Sequence, residues 1–241
     1  MAPILDISGA QKRFEQYAKP ILGAFAESGI ATGEQITPAL IVDALRQLFT
    51  LLTTDVASWD PSLPADEPER IGDLAIGLLM DLATWAERLG ERQAKAALEM
   101  ITVSLAAWVC NQHGAIHTLE PIVNGLAILP NSRGEPDELR SLAQLMGRVK
   151  EAASADYGTD LDGADPHRPW RILLLNWGIT ATRAQDPAEM RRAFAALVHH
   201  LPADAPLFFR EGRQQVAQGD FPDEVKVVME EAAESAGRGL H

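Results

Sequence analysis

The amino-acid sequence predicts an all-α protein of about ten antiparallel helices, packed as stacked helix hairpins. Apolar residues recur at helical spacing along most of the 241 residues, and no segment shows the alternation of a half-buried strand. Proline recurs where helices are expected to begin, because its missing N–H costs no hydrogen bond in the first turn. A right-handed solenoid of hairpins and a non-repetitive helical bundle both satisfy this pattern.

Capping or acidic residues stand beside these prolines and set the predicted helix starts. Their side-chain oxygens accept hydrogen bonds from the free N–H groups of the first helical turn. Negative charges there also interact favourably with the positive end of the helix dipole. The sites are Thr37-Pro38, Glu67-Pro68, Glu120-Pro121, Glu135-Pro136, Asp165-Pro166, Asp186-Pro187, Asp204 before Pro206 and Asp220 before Pro222. The predicted helices span 9–27, 37–56, 67–89, 91–112, 118–129, 135–153, 166–183, 186–201, 204–218 and 221–236.

The helix predicted from residue 186 carries the clearest amphipathic stripe. Its apolar residues follow the i, i+3, i+4, i+7 spacing that places side chains on one helix face. That face is expected to be buried, and its members are Met190, Ala193, Phe194, Leu197, Val198 and Leu201.

The chain divides by composition into an N-terminal helical region, 1–153, and a C-terminal helical region, 166–241. The segment between them, 154–165, is acidic and contains two glycines. Because helix pairs can stack without separate cores, one continuous helical body is the preferred interpretation.

Composition narrows the classes of partner. A net charge of −13 argues against binding a nucleic-acid backbone or an anionic membrane surface. Residues 100–119 carry no formal charge, but polar residues from Asn111 to His113 interrupt the run, which favours a buried helix over a membrane span. The start of the chain lacks a basic segment followed by an apolar run, and Cys110 is the single cysteine, so a cytoplasmic protein without disulfides is predicted.

The last third of the chain repeats with a period of 34 residues. Gly178 and Gly212 are 34 residues apart, and so are the helix-capping residues Asp186 and Asp220. Each unit is expected to form a helix, a short turn and a second helix, which is the pattern of a helical repeat.

This pattern resembles a degenerate tetratricopeptide repeat over about residues 170–235. In that family a small residue in the first helix lets the paired helix approach, a large residue in the second fills the gap, and a proline ends the unit. Gly178, Phe194 and Pro202 match these positions, whereas the second unit keeps Gly212 but has Val228 in place of the aromatic residue. The resemblance implies that the first helices line a concave groove that holds a peptide.

Polar residues of the two first helices are the candidate partner-binding residues: Asn176, Arg183, Arg210 and Arg213. Asn176 and Arg210 are equivalent in the repeat alignment, and the resemblance implies that residues there grip a terminal carboxylate. The planar guanidinium of arginine matches a carboxylate. The first hypothesis is therefore a non-enzymatic adaptor, without a cofactor, for a protein or peptide partner, with an acidic one as a candidate. A solvated face with scattered arginines explains the same residues.

A second hypothesis is a metal- or cofactor-binding helical enzyme. Cys110, His113, His117 and Glu120 would share one face of a continuous helix, and their side chains suit zinc or iron. Gly114, however, is expected to end that helix, which favours a buried cysteine, a polar helix end and a capping Thr118. No catalytic motif was found elsewhere in the chain.

A third hypothesis is a self-associating structural protein, with the mostly apolar segment 122–129 as its interface. Trp170 and Trp177 lie seven residues apart on one helix face, which is typical of core residues. His199 and His200 close the helix that ends near Leu201, where they are expected to interact with its free carbonyl groups.

Overall fold

A computed structural model of the chain describes residues 6–30, 36–54, 64, 66–132, 134–159, 163 and 165–238. Within these ranges the fold is all-α, with ten α-helices, one short 3-10 helix and no strand. The α-helices are α1 (Ile7–Ser28), α2 (Pro38–Leu52), α3 (Glu67–Arg88), α4 (Arg92–Asn111), α5 (Glu120–Ile128), α6 (Pro136–Tyr157), α7 (Pro169–Arg183), α8 (Pro187–His200), α9 (Ala205–Gln218) and α10 (Asp223–Arg238).

The predicted all-α class is confirmed, and each of the ten described helices lies where a helix was predicted. Residues 55 and 56, at the end of the second predicted helix, lie outside the described residues. The largest differences surround the acidic segment. There α6 continues to Tyr157, and α7 begins at Pro169 because Asp165 accepts from the N–H of His167 in a preceding turn, at 2.8 Å.

The helix starts follow the predicted capping chemistry in part. The carboxylate of Asp186 accepts from the N–H groups of Ala188 and Glu189, both at 3.1 Å, and the hydroxyl of Thr37 accepts from Leu40. Asp204 makes no capping bond at the start of α9. Its carboxylate accepts instead from the guanidinium of Arg171, with Nη2 at 2.6 Å, so an ion pair takes the place of the cap.

The first compact unit, Met1–Gly125, is organised around a buried helix. Its helices pack in chain order from α1 to α4, and α1 also packs on α4. Every residue of α4 from Ile101 to Val109 is buried, which confirms the buried-helix interpretation of this uncharged stretch. Gly72 of α3 lies so close to the side chain of Val109 that a Cβ at position 72 would overlap it. Helices α3 and α4 therefore pack together at very close range.

The second compact unit, Leu126–His241, contains α6 to α10. Helix α6 packs on α7 and α8, α7 packs on α8, and α10 packs on α9 and α8. The acidic segment 154–165 lies within this unit and connects α6 to α7; its residues 160–162 and 164 are outside the described ranges. Among the described residues, no helix is both long enough and apolar enough to cross a membrane.

Candidate functional site

Two glycines control how closely the C-terminal helices approach one another. A Cβ at Gly178 of α7 would lie 2.7 Å from Cζ of Phe208, which belongs to the first helix of the next hairpin. A Cβ at Gly212 of α9 would lie 2.9 Å from Cε of Met229 on the paired helix α10. The two positions are equivalent in sequence, yet in the structure they admit neighbours of different kinds.

An aromatic cluster joins the α7–α8 hairpin to the α9–α10 hairpin. The ring of Phe194 on α8 is buried and lies edge-to-face with Phe209 at 5.0 Å and with Phe208 at 5.9 Å between centroids. Tilted contacts of this kind add about 0.5–1.5 kcal/mol to the burial of the rings. The cluster holds Phe208 in place against Gly178.

A cavity of about 590 Å³ opens beside Phe208, between α7, α9 and the start of α10. We call it the α7–α9 cavity. Residues at i, i+3 and i+4 of a helix share a face, and Ile179, Thr182 and Arg183 bring one face of α7 to it. Its apolar lining residues are Ile179, Phe208, Val216, Phe221 and Met229.

Uncharged amides dominate the polar part of the lining. Helix α9 contributes Gln214, Gln215 and Gln218, and the charged groups in the lining are Arg183 and Glu211. A glutamine amide both donates and accepts hydrogen bonds. The cavity therefore combines an apolar wall with a rim that can pair with the polar groups of a bound molecule.

The turn between α9 and α10 shapes one wall of the cavity. A Cβ at Gly219 would lie 2.6 Å from Cε2 of Phe221, so the aromatic ring folds back against the end of α9. Any larger residue at position 219 would push this ring away. The wall thus depends on a glycine directly after the last residue of α9.

The four predicted partner-binding residues lie at separate places in the structure. Arg183 lines the cavity, and it also interacts with other groups of the chain. Asn176 lies on the same face of α7 at i−3 from Ile179 but is not part of the lining. Arg213 pairs with Glu230 of α10 at 3.1 Å, and Arg210 is roughly 160° around α9 from Phe208 at about 100° per residue. The four side chains do not surround one cavity, and partner binding by them stays a prediction.

Other arginines of this unit are held by carboxylates of the same chain. Glu189 is buried, and its carboxylate accepts from Nη1 of Arg192 at 2.9 Å and from the indole N–H of Trp177 at 2.8 Å. These bonds offset the cost of burying a charge.

Trp170 and Trp177 are each about 2% exposed, which confirms that both are core residues.

A second cavity, of about 660 Å³, lies between α8 and α10. Phe194, Val198 and Val228 form part of its wall, and Arg191 and Glu231 lie 3.9 Å apart at its edge. Val198 is 41% exposed, so the prediction that the whole α8 stripe is buried is wrong at this residue. The reason is that α8 and α10 leave a cleft over Val198 instead of closing on it.

The candidate metal ligands do not lie on one helix. Helix α4 ends at Asn111, and His113 has a left-handed backbone with φ of 59°. His117 lies in the following loop, where its Nε2 is 2.7 Å from Oε1 of Glu69, and Glu120 begins α5. Among the described residues, no group of three or more His, Cys, Asp or Glu side chains is placed to hold a metal ion. The assumption of one shared helix face is wrong because α4 ends at Asn111 and the chain turns at Gln112 and His113, before Gly114.

The loop that follows α4 is fastened to α3 by two carboxylates that the sequence did not identify. Glu69 accepts from the N–H of Ala115 at 2.8 Å as well as contacting His117. The hydroxyl of Thr118 donates to Asp73 at 2.7 Å. Because α5 begins at Glu120, Thr118 does not directly precede the helix and does not have the capping role suggested for it. Glu69 and Asp73 are spaced i and i+4 on α3, but nothing in their sequence neighbourhood indicates a partner more than 40 residues away.

The segment proposed for self-association is largely internal. Ile122, Val123, Leu126 and Leu129 are buried, whereas Ile128 is 54% exposed. Most of the apolar surface that would form such an interface is therefore already covered within the chain.

Of the two histidines at the end of α8, His200 is half-buried and His199 is exposed. The ring of His200 lies edge-on to Trp170 at 5.2 Å and to His199 at 4.6 Å. Burial lowers the pKa of His200 below 6.5, and the nearby charge of Lys150 lowers it further. A neutral His200 is therefore favoured in the folded protein.

No protein-family model, no curated protein and no solved structure matches the chain. The residues and their arrangement consequently define the class of protein: an all-helical protein whose neighbouring helices pack in hairpins.

Proposed function

We propose that the C-terminal hairpins form a protein–protein interaction module that holds a segment of a partner chain in the α7–α9 cavity. The observation that carries this proposal is the cavity itself, about 590 Å³ in volume, with an apolar wall and an amide rim. Binding pockets in proteins have volumes of about 300–1,000 Å³ and combine these two kinds of lining. This cavity is more enclosed than the cavity between α8 and α10.

The tetratricopeptide-like interpretation of α7–α10 belongs to the same proposal. Two contacts support it: Gly212 lets its paired helix α10 approach through Met229, and Phe194 fills the space between the hairpins. Gly178 departs from the pattern, because it lies against Phe208 of the next first helix and not against its paired helix α8. In such a stack the first helices, here α7 and α9, form the binding face. The cavity lies on these two helices, and Arg183 lines it.

Binding would work by shape complementarity and burial of apolar surface, with no cofactor. Ile179 is 45% exposed at the cavity, and covering it removes apolar area from water. Burying one aliphatic side chain contributes about 1.5–3 kcal/mol. A micromolar complex requires about 8 kcal/mol net of an association cost of at least about 4 kcal/mol, so four or more such contacts are needed.

A matched pair of substitutions tests the site. We expect Ile179→Asp to weaken binding at least tenfold, because it places a charge on the apolar wall. Leu207→Asp is the control, since Leu207 is also 45% exposed but does not line the cavity. The probe is a library of displayed random peptides selected on the purified protein, and the Kd of each enriched peptide is then measured with both variants.

Three results would contradict the proposal: no peptide enriched on the parent protein, equal weakening by both substitutions, or binding unaffected by Ile179→Asp. Thermal unfolding of both variants verifies that each remains folded. Because both positions are half-exposed, the two substitutions are expected to have similarly small effects on stability.

A further inference from the structure

We infer that the α7–α9 cavity takes an uncharged, apolar anchor side chain of a peptide, and does not select an acidic partner. This inference rests on the proposed function and specifies its ligand. It follows from the charges of the lining, from the amides at the rim and from the rigid aromatic wall.

The charges of the lining cancel. Arg183 and Glu211 contribute one positive and one negative charge, and the other lining residues are neutral. The protein as a whole carries −13, so an acidic peptide would approach a repulsive body without a positive groove to offset it. Of the other candidate arginines, Arg213 does not line the cavity and is paired with Glu230. The charge balance of the lining therefore favours a neutral segment over an acidic one.

The glutamines fit a peptide backbone. Gln214 and Gln218 are spaced i and i+4 on α9, so both lie on the same side of that helix, next to Gln215. Each amide can accept from a backbone N–H and donate to a backbone C=O. A partner segment crossing α9 would satisfy its polar groups here without a charged side chain.

The aromatic wall is preformed. Phe208 is held by Phe194, by Phe209 at 5.3 Å and by the close approach of Gly178. Met229 adds a thioether to the lining, where it is 1% exposed and packs against Gly212. A lining that combines an aromatic ring with a thioether suits an aliphatic or aromatic anchor. Little side-chain entropy is lost in forming such a site.

Salt dependence and a pair of charge-removing variants test this inference on the full chain. The probes are the peptides enriched from the displayed library, with Kd measured at about 50 mM and about 500 mM NaCl, which shortens the range of electrostatic interactions severalfold. We expect Kd to change less than about threefold with salt, and less than about threefold in both Arg183→Gln and Glu211→Gln. Replacing the anchor residue of the peptide by alanine should weaken binding at least tenfold.

The outcomes separate this inference from the function it rests on. The neutral anchor would be overturned if the enriched peptides were rich in Asp or Glu and their binding were lost at high salt and in Arg183→Gln. In that case, weaker binding to Ile179→Asp would still support the cavity as the site. Absence of any enriched peptide, or indifference to Ile179→Asp, would overturn both. Enriched peptides that share an apolar residue and bind independently of salt would support both.

Discussion

The α3–α4 hairpin of the first unit and the α9–α10 hairpin of the second differ in how much of their surface is buried. In α4 every residue from Ile101 to Val109 is buried, and the helix touches neighbours on all sides. In α9 only Ala205, Phe209 and Val216 are buried, and the rest of the helix faces solvent or the cavity. The first hairpin therefore belongs to the core, whereas the second leaves one face of α9 open at its surface.

Truncating a leucine in each hairpin should show this contrast most strongly. We expect Leu105→Ala in α4 to lower the free energy of unfolding by about 2–5 kcal/mol, because Leu105 is fully buried and its loss leaves a cavity. Leu207→Ala in α9 should change it by less than about 0.5 kcal/mol, since that side chain is 45% exposed. Urea unfolding measures both values. Similar costs at the two positions would mean that Leu207 is buried and that α9 does not expose this face.

Two glycines within α3 provide a second comparison between a buried and an exposed position, with smaller expected effects on stability. Gly72→Ala should cost about 1–3 kcal/mol, because the new methyl group overlaps Val109, a stiff β-branched residue of α4. Gly77→Ala should stabilise the protein by about 0.5–1 kcal/mol, since no heavy atom lies within 4 Å of its Cβ position and alanine favours the helix. Thermal unfolding of the two variants gives the comparison. If both changes stabilised the protein, the close approach of α3 and α4 would be disproved.

The smallest effect concerns pH. The pKa of His200 is lowered by burial, so the unfolded chain takes up the proton first as the pH falls. The contribution of His200 to the free energy of unfolding should therefore be constant above pH 6.5 and decline below it until the folded pKa is reached. His200→Gln should remove this decline, as measured by urea unfolding at several pH values.

The first unit supplies the control for that experiment. A hydrogen bond from Arg46 lowers the pKa of Glu15 below 4.5, with Nε of Arg46 at 2.9 Å from the carboxylate. Its contribution is present above pH 4.5 and is lost as the pH falls through the folded pKa. Glu15→Gln should therefore alter the acid range and leave the decline below pH 6.5 intact. A loss of both transitions in either variant would show that the two groups do not titrate independently.

The sequence predicted the helices well because their signals are local. Thr37 and Asp186 cap the helices that follow them, and Pro38 and Pro187 occupy the first turns, as expected from the chemistry of a helix start. The apolar stripe of α8 is buried except at Val198, where the neighbouring helix does not close over the side chain. Each successful prediction depends on residues within about one or two helical turns.

The candidate site was predicted less well, because its members come from separate helices. Arg183 was identified and does line the cavity, but Ile179, Gln215 and Phe221 were not identified. Their sequence pattern is that of any amphipathic helix, and nothing local distinguishes a wall of a cavity from a solvated face. The contact between Glu69 and His117 was not predicted for the same reason.

By itself, then, the sequence determined the helical class, the positions of the helices, the close-packing glycines and the burial of Trp170 and Trp177. Tertiary structure decided which charges pair, as in Arg213 with Glu230, and which helix faces meet, as in Gly178 with Phe208. The physical reason is the separation along the chain over which each interaction acts. Capping and periodicity act between neighbours in the chain, whereas a cavity and its charge balance exist only once distant helices have been brought together.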